Sequence, residues 1–222
     1  MKCNHAITAR YRTRLARADR PPTRGSAARS VRRANCTHRP NVVAQPASPA
    51  SSSTITAQVF ASSDPLKTDA DVKIQIQQAS TSSNRDGGKL GIDDFDGVTI
   101  ASFQIRPRSR GSCHITGTDP QADPRLLSRH FTHSDDIAAC LNALKMSRRV
   151  AANGPVSKLV EAEVRPGPTA ASDEALIAYL RATGATAYHP VGTCRIGSDA
   201  AQSVVDPQLR VHGIDGLRVA DA

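Results

Sequence analysis

The sequence predicts an α+β domain, an antiparallel or mixed sheet with packed helices, preceded by a disordered basic leader. Strand-like alternation and helix-like periodicity occur in one stretch without a regular strand–helix repeat, which argues against a parallel βαβ architecture. The charge is also divided unevenly. The 222-residue chain carries a formal net charge of +9, yet residues 1–60 hold 11 basic and 1 acidic side chain, while residues 61–222 hold 18 and 19. The excess lies near the N-terminus, and the balanced remainder is long enough to bury a core. A folded nucleic-acid-binding domain is therefore excluded as the source of the basic charge, because the folded part offers no net positive field.

Residues 1–63 form the predicted leader and residues 64–222 the domain. Residues 1–40 are rich in Arg and Ala, and residues 41–63 in Ala, Ser, Pro and Thr. No sustained apolar stripe runs through them, so little apolar burial offsets the entropy of ordering. The composition fits a mitochondrial transit peptide, a basic arm binding polyanions through charge alone, or a leader arising from a misplaced start codon or a rearranged gene. Sparse aromatics, Tyr11 and then Phe60, weigh against single-strand binding.

The elements follow in order. Val72–Gln77 alternates apolar and polar residues and reads as a half-buried strand. Residues 84–88 and 93–97 are turn material rich in Asp and Gly. A second strand is expected over Val98–Ile105 and a third over Ser112–Thr116, after the turn at residues 108–111. A helix is expected from the N-cap Ser134, with Asp135 and Asp136 at the positive end of its dipole. Ile137, Cys140, Leu141 and Leu144 recur at helical spacing, Arg148 and Arg149 fall near the other end, and Asn153-Gly154 stops it. Another helix starts after Ser172, presents Leu176, Ile177 and Leu180 on one side, and ends at Gly184 as the residue past its C-cap.

Five cysteines, Cys3, Cys36, Cys113, Cys140 and Cys194, are odd in number and form no C-x-x-C pair. Reduced thiols in a cytoplasmic protein are expected, or a mitochondrial one if the leader is a transit peptide. No run of 18 apolar residues occurs, so no transmembrane helix is expected.

Chemistry concentrates in the last forty residues. His189 precedes Pro190, and Gly192 and Gly197 allow close backbone approach around it. A histidine fixed at such a bend is a candidate general base, since imidazole titrates near physiological pH. From spacing alone the favoured reading is a loop histidine that hydrogen-bonds its own turn. His130, His133 and Asp135 read as a surface cluster before a helix rather than a metal trio, and His212 as exposed. Cys194 reads as packing, Arg106, Arg108 and Arg110 as a solvated turn, and Arg195 as structural.

The segments AYHPVGTCRIG (187–197) and VVDPQLRVHGIDGLRVADA (204–222) closely resemble the C-terminal region of the glucose–methanol–choline (GMC) oxidoreductases, flavin enzymes that oxidise alcohols. Arg106–Ser112, Asp119-Pro120, Asp123-Pro124 and the helix Ser172–Tyr179 agree in the family's order. The resemblance runs from about Phe103 to Ala222 and extends to about Asp71, with the choline dehydrogenase-like branch most similar. It implies that His189 takes the hydroxyl proton of the substrate while a hydride leaves for FAD. It further implies that Asp221 and Ala222 touch the cofactor.

The rest of such an enzyme is not legible. A dinucleotide fold needs G-x-G-x-x-G, and the 14 glycines contain no G-x-G pair. A complete Rossmann-type FAD unit is thus excluded for this chain. The family's second catalytic residue, a His or Asn, lies beyond the Ala-Asp-Ala segment at which the sequence stops. The expected function is an FAD-dependent oxidoreductase fragment acting on a small alcohol, with a flavin domain as partner chain, no nucleic-acid partner and no metal. The alternative is a catalytically inert truncated remnant, binding polyanions at most through its leader.

Overall fold

The computed structural model describes residues 5–13, 55–82 and 91–221. Its strands are β1 (His5–Thr13), β2 (Ile55–Ala61), β3 (Val72–Gln77), β4 (Thr81–Ser82), β5 (Gly91–Ile92), β6 (Gly97–Gln104), β7 (Ser112–His114), β8 (Arg125–Leu127), β9 (Val160–Arg165) and β10 (Ala185–Thr186). The helices are α1 (Ser134–Ala152), α2 (Gly154–Ser157) and α3 (Asp173–Thr183). Six strands make one sheet in the order β10-β1-β6-β3-β2, with β9 also pairing β1. Each of these pairings is antiparallel. The α+β class is the one predicted, and no described helix is long and apolar enough to cross a membrane.

Two strands arise where composition predicts disorder. β1 and β2 fall within residues 1–63, and β1 lies inside the sheet between β6 and β10. Residues 5–13 alternate well enough to serve as a strand, with Ala9 and Tyr11 buried on one face. Their high Arg content hides this, because Arg10 and Arg12 occupy the other face. The sheet thus begins before residue 64. Residues 14–54 and the turn expected at 84–88 lie outside the described residues. β2 is an edge, with Ile55, Val59 and Phe60 exposed.

The core lies between one sheet face and the helices. Ala9, Tyr11, Ile74 and Ile100 of the sheet meet Cys140, Leu141 and Leu144 of α1 and Leu176 and Leu180 of α3. Fully burying a Leu or Ile is worth about 1.5–3 kcal/mol. Polar ties set the angles. Arg148 of α1 grips Glu163 of β9 through Nε–Oε1 at 3.0 Å and Nη2–Oε2 at 2.9 Å. Tyr179 of α3 donates its hydroxyl to the Thr8 carbonyl of β1 at 2.6 Å.

Helix boundaries differ from the sequence reading by one residue. The N-cap of α1 is His133, whose Nδ1 accepts from the Asp135 amide at 3.1 Å, so Ser134 opens the helix instead. Ser172 caps α3 as predicted, accepting from the Ala175 amide at 3.2 Å. Gly184 ends α3 at φ −61°, ψ 132°, so no left-handed turn requires glycine there. Space requires it. A Cβ at Gly184 would stand 2.5 Å from the Phe131 ring and 2.6 Å from the Leu180 carbonyl oxygen.

Asp136 is fully buried in the first turn of α1. It accepts from Gln104 Nε2 at 2.8 Å, the Arg108 amide at 2.8 Å and the Ser109 amide at 2.7 Å. Burial alone would raise its pKa. The amides of Arg108 and Ser109 and the Gln104 side chain win and hold it below the usual carboxylate value. Asp71, bonded by Ser63 and Lys67, is lowered against burial in the same way.

Three outcomes are expected. A depressed carboxylate stabilises above its unfolded pKa and loses that contribution as pH falls through the folded value. The chain should therefore lose stability below about pH 4, the unfolded carboxylate range. Asp136→Asn should flatten part of that fall and cost about 2–4 kcal/mol at neutral pH, because its amide group faces donors. Urea melts across a pH series check both. Removing residues 1–13 should abolish cooperative unfolding by near-ultraviolet circular dichroism; an unchanged melt would reduce β1 to an ornament of the sheet.

Candidate active site

The segment carrying the candidate chemistry is residues 185–221, held by turns more than by core. It is anchored by β10, where Thr186 pairs opposite His5 and Ala185 opposite Ala6. The next constraint is Tyr188, whose amide donates to Thr186 Oγ1 at 3.1 Å. Tyr188 is left-handed at φ 59°. For a non-glycine residue that backbone costs on the order of 1–3 kcal/mol and marks a site where geometry outweighs comfort. His189 follows immediately and is exposed. Among the described residues its ring makes no hydrogen bond or ion pair. It is therefore not a histidine bonded into its own turn.

Beyond Pro190 the chain lines an open groove of about 750 Å³. Val191, Gly192, Cys194 and Arg195 form one wall, Gln202, Ser203 and Val204 another, and Arg110 and Asp221 also contribute. Asp221 thus belongs to the groove, and Ala222 lies outside the described residues. Arg110 is an exposed turn residue, as expected, and it also lines the groove. Its Nη1 donates to the carbonyls of Pro107, Arg108 and Ser109 at 2.8, 2.9 and 3.0 Å. This ties it to the loop that Asp136 clamps. The R-x-R-x-R pattern at 106–110 is the sequence signal, but only Arg110 of the three reaches the groove.

The far wall is a small backbone knot. Val205 is fully buried and bridges Ile196 on one side and Val211 on the other. Asp206 accepts from the Gln208 amide at 2.8 Å, the Arg210 amide at 2.9 Å and Arg210 Nε at 2.6 Å. His212, expected to be exposed, is half-buried here. Its Nε2 lies 3.0 Å from the Gly197 carbonyl and 3.1 Å from Ser203 Oγ. A carbonyl only accepts, so Nε2 carries the hydrogen and cannot take a proton from Ser203. Ser203 and His212 are consequently a structural brace and not a nucleophile with its base.

Other sequence candidates resolve simply. His133 caps α1, and Asp135 pairs with Arg108 at 3.2 Å. No group of three or more His, Cys, Asp or Glu among the described residues could hold a metal ion. Cys194 is half-buried in the groove wall, Cys113 is exposed, and Cys140 is buried with its thiol pushed far above the ordinary value. Arg106 pairs with Asp69 at 2.9 Å at the surface.

A family model described as GMC oxidoreductase matches residues 107–222, which hold both the clamped loop and the groove. The chain belongs to the GMC oxidoreductase family. An uncharacterized GMC-type oxidoreductase of Mycobacterium bovis is 43% identical over 129 residues, covering 57% of this chain and 24% of that protein. An oxygen-dependent choline dehydrogenase of Rhizobium johnstonii is 41% identical over 137 residues, covering 58% of this chain and 25% of that protein. This GMC chain therefore spans about a quarter of the length of the curated relatives it matches. In fold it is similar to a formate oxidase of Aspergillus oryzae studied for FAD modification, with a TM-score of 0.73 and 22% identity. That likeness covers 100% of this chain and 41% of the oxidase.

Bare backbone and one acidic residue line the groove. Gly192, at φ 93°, has nothing within 4 Å of where a Cβ would stand, so bare backbone faces the groove. Asp221 offers a carboxylate from the opposite end of the segment. A glycine loop able to cradle a pyrophosphate is absent from the sequence. Replacing Ser203 with Ala should loosen this knot by about 0.5–1.5 kcal/mol, since it removes the hydroxyl that meets the Gly197 and Asp199 carbonyls and His212. Hydrogen exchange of residues 195–212 should quicken while that of α1 stays slow.

Proposed function

We propose that this chain supplies the substrate-side part of an FAD-dependent oxidoreductase acting on CH–OH donors, with His189 as general base. The observation that carries the reading is the state of His189. Its ring is exposed and unbonded among the described residues, and the left-handed Tyr188 sets it just ahead of the groove wall. Exposed and unbonded among the described residues, the ring leaves its nitrogens accessible to a ligand.

The reaction is the oxidation of a small alcohol to the carbonyl compound. His189 accepts the hydroxyl proton through an imidazole nitrogen, and the resulting alkoxide character pushes a hydride from the carbinol carbon. When bound, FAD supplies the acceptor for that hydride. Gly192 and Asp221 would hold FAD from this chain's side, a role the family resemblance also implies for Ala222. The phosphate-binding part of the cofactor site would lie in the three-quarters of the relatives' length that this chain does not match.

The choline dehydrogenase-like relatives favour an alcohol of that kind as substrate. The purified chain alone is expected to turn over no alcohol and to show a melting point indifferent to FAD. Combined with a flavin-binding GMC polypeptide, it should reduce flavin under anaerobic stopped flow with choline or benzyl alcohol. His189→Ala should slow that step by about 10²–10⁴-fold while leaving flavin content unchanged. An unchanged reduction rate would remove His189 from the mechanism.

A further inference from the structure

The sheet face turned away from α1 and α3 contains a charge that the proposed reaction does not use. Ala9 and Tyr11 of β1 point into the helical core, so strand alternation sends Arg10 to the other face. Arg10 is only 5% exposed. Its Nε and Nη1 are sealed from solvent and have no hydrogen-bond partner. A buried guanidinium left in that state is among the costlier arrangements a fold can carry, and native structures pair such groups.

The neighbours do not relieve it. In register opposite Arg10 on β9 stands Arg165, a second cation, and like charges across a strand pair repel. Thr99, opposite on β6, commits its hydroxyl to the Ala79 carbonyl at 2.8 Å. Tyr179 donates its hydroxyl to Thr8. Asp93 attracts Arg10 through space, but its carboxylate is bonded by Ser80 at 2.7 Å. The β1–β9 pairing also slips at this point, with a bulge between Arg10 and Tyr11. Bulges re-aim side chains and are enriched beside functional sites.

We propose that Arg10 and Arg165 form a site for a small oxyanion, a carboxylate or a phosphate group, bridging the two guanidinium groups. The planar fork of each guanidinium matches two oxygens of one such anion, which a spherical halide cannot offer. The half-buried Arg165 gives the approach, and the sealed Arg10 gives the low-dielectric end where the charge pair is strongest. This inference is independent of the flavin reading.

The test is the melting midpoint of the 222-residue chain in sodium phosphate, sodium acetate and sodium chloride at matched ionic strength. An oxyanion that binds only the folded chain should raise the midpoint over chloride by about 3–6 °C at ten times its dissociation constant. A rise with phosphate alone or acetate alone identifies which oxyanion the site takes. Arg10→Met should melt higher than the parent chain in chloride, because it removes an unpaired charge, and should lose the oxyanion response. Should that variant not fold, Arg165→Met makes the same comparison, with affinity expected to fall at least tenfold by calorimetric titration. Equal midpoints in all three salts overturn the proposal. So does an oxyanion response that survives in the variant, since general salting-in or salting-out effects do not depend on one arginine.

Discussion

The buried carboxylate of Asp136 is the constraint on which the site depends. It sits at the positive end of α1 and receives hydrogen bonds from Gln104 of β6 and from the amides of Arg108 and Ser109. One side chain therefore joins a helix, the end of a central strand and the loop that follows it. Isolated in a core, a carboxylate would be expensive; surrounded by donors and a helix dipole it is held ionised. The loop it fixes carries Arg110 to the groove. The wall of the groove thus inherits its position from a residue buried at the start of α1.

A second dependence runs through β1. This strand receives β6, β9 and β10, and Tyr179 of α3 is tied to its backbone. Because β10 starts the segment that leads to Tyr188 and His189, the placement of that histidine rests on pairing with residues 5 and 6. The segment itself contributes little core beyond Val205 and is shaped by turns, bridges and the Asp206 and Ser203 hydrogen bonds. Such a layer can present backbone and side chains to a ligand, which a well-packed helix face cannot.

Legibility followed the range of the interactions. Val72–Gln77, Val98–Ile105 and both long helices were readable because their periodicity and caps are local. β9 and β10 were missed: Val160–Arg165 alternates, but charged Glu161, Glu163 and Arg165 mask it, and a two-residue strand has no pattern of its own. β1 was misread for a sharper reason. Composition judged residues 1–63 by charge, whereas a strand needs only every second residue to be apolar, and Ala9 and Tyr11 suffice once α1 and α3 cover them. In the site, His189 and Asp221 were legible through motif resemblance, while Arg110, Ser203 and His212 were not. Their roles are set by which carbonyls they meet, and those partners lie up to fifteen residues away.

By itself, the sequence determined the α+β class, the helix limits to within a residue, and the family. These follow from periodicity, capping side chains and a contiguous motif, all of which act over a few residues. Only the tertiary structure decided that the basic N-terminal stretch supplies an inner strand and that Gly184 is required by the Phe131 ring. It alone decided that Arg110 turns to the groove and that Arg10 is sealed opposite Arg165. Each of these depends on what a distant part of the chain places against the residue, and burial and pairing energies have no signature in local order.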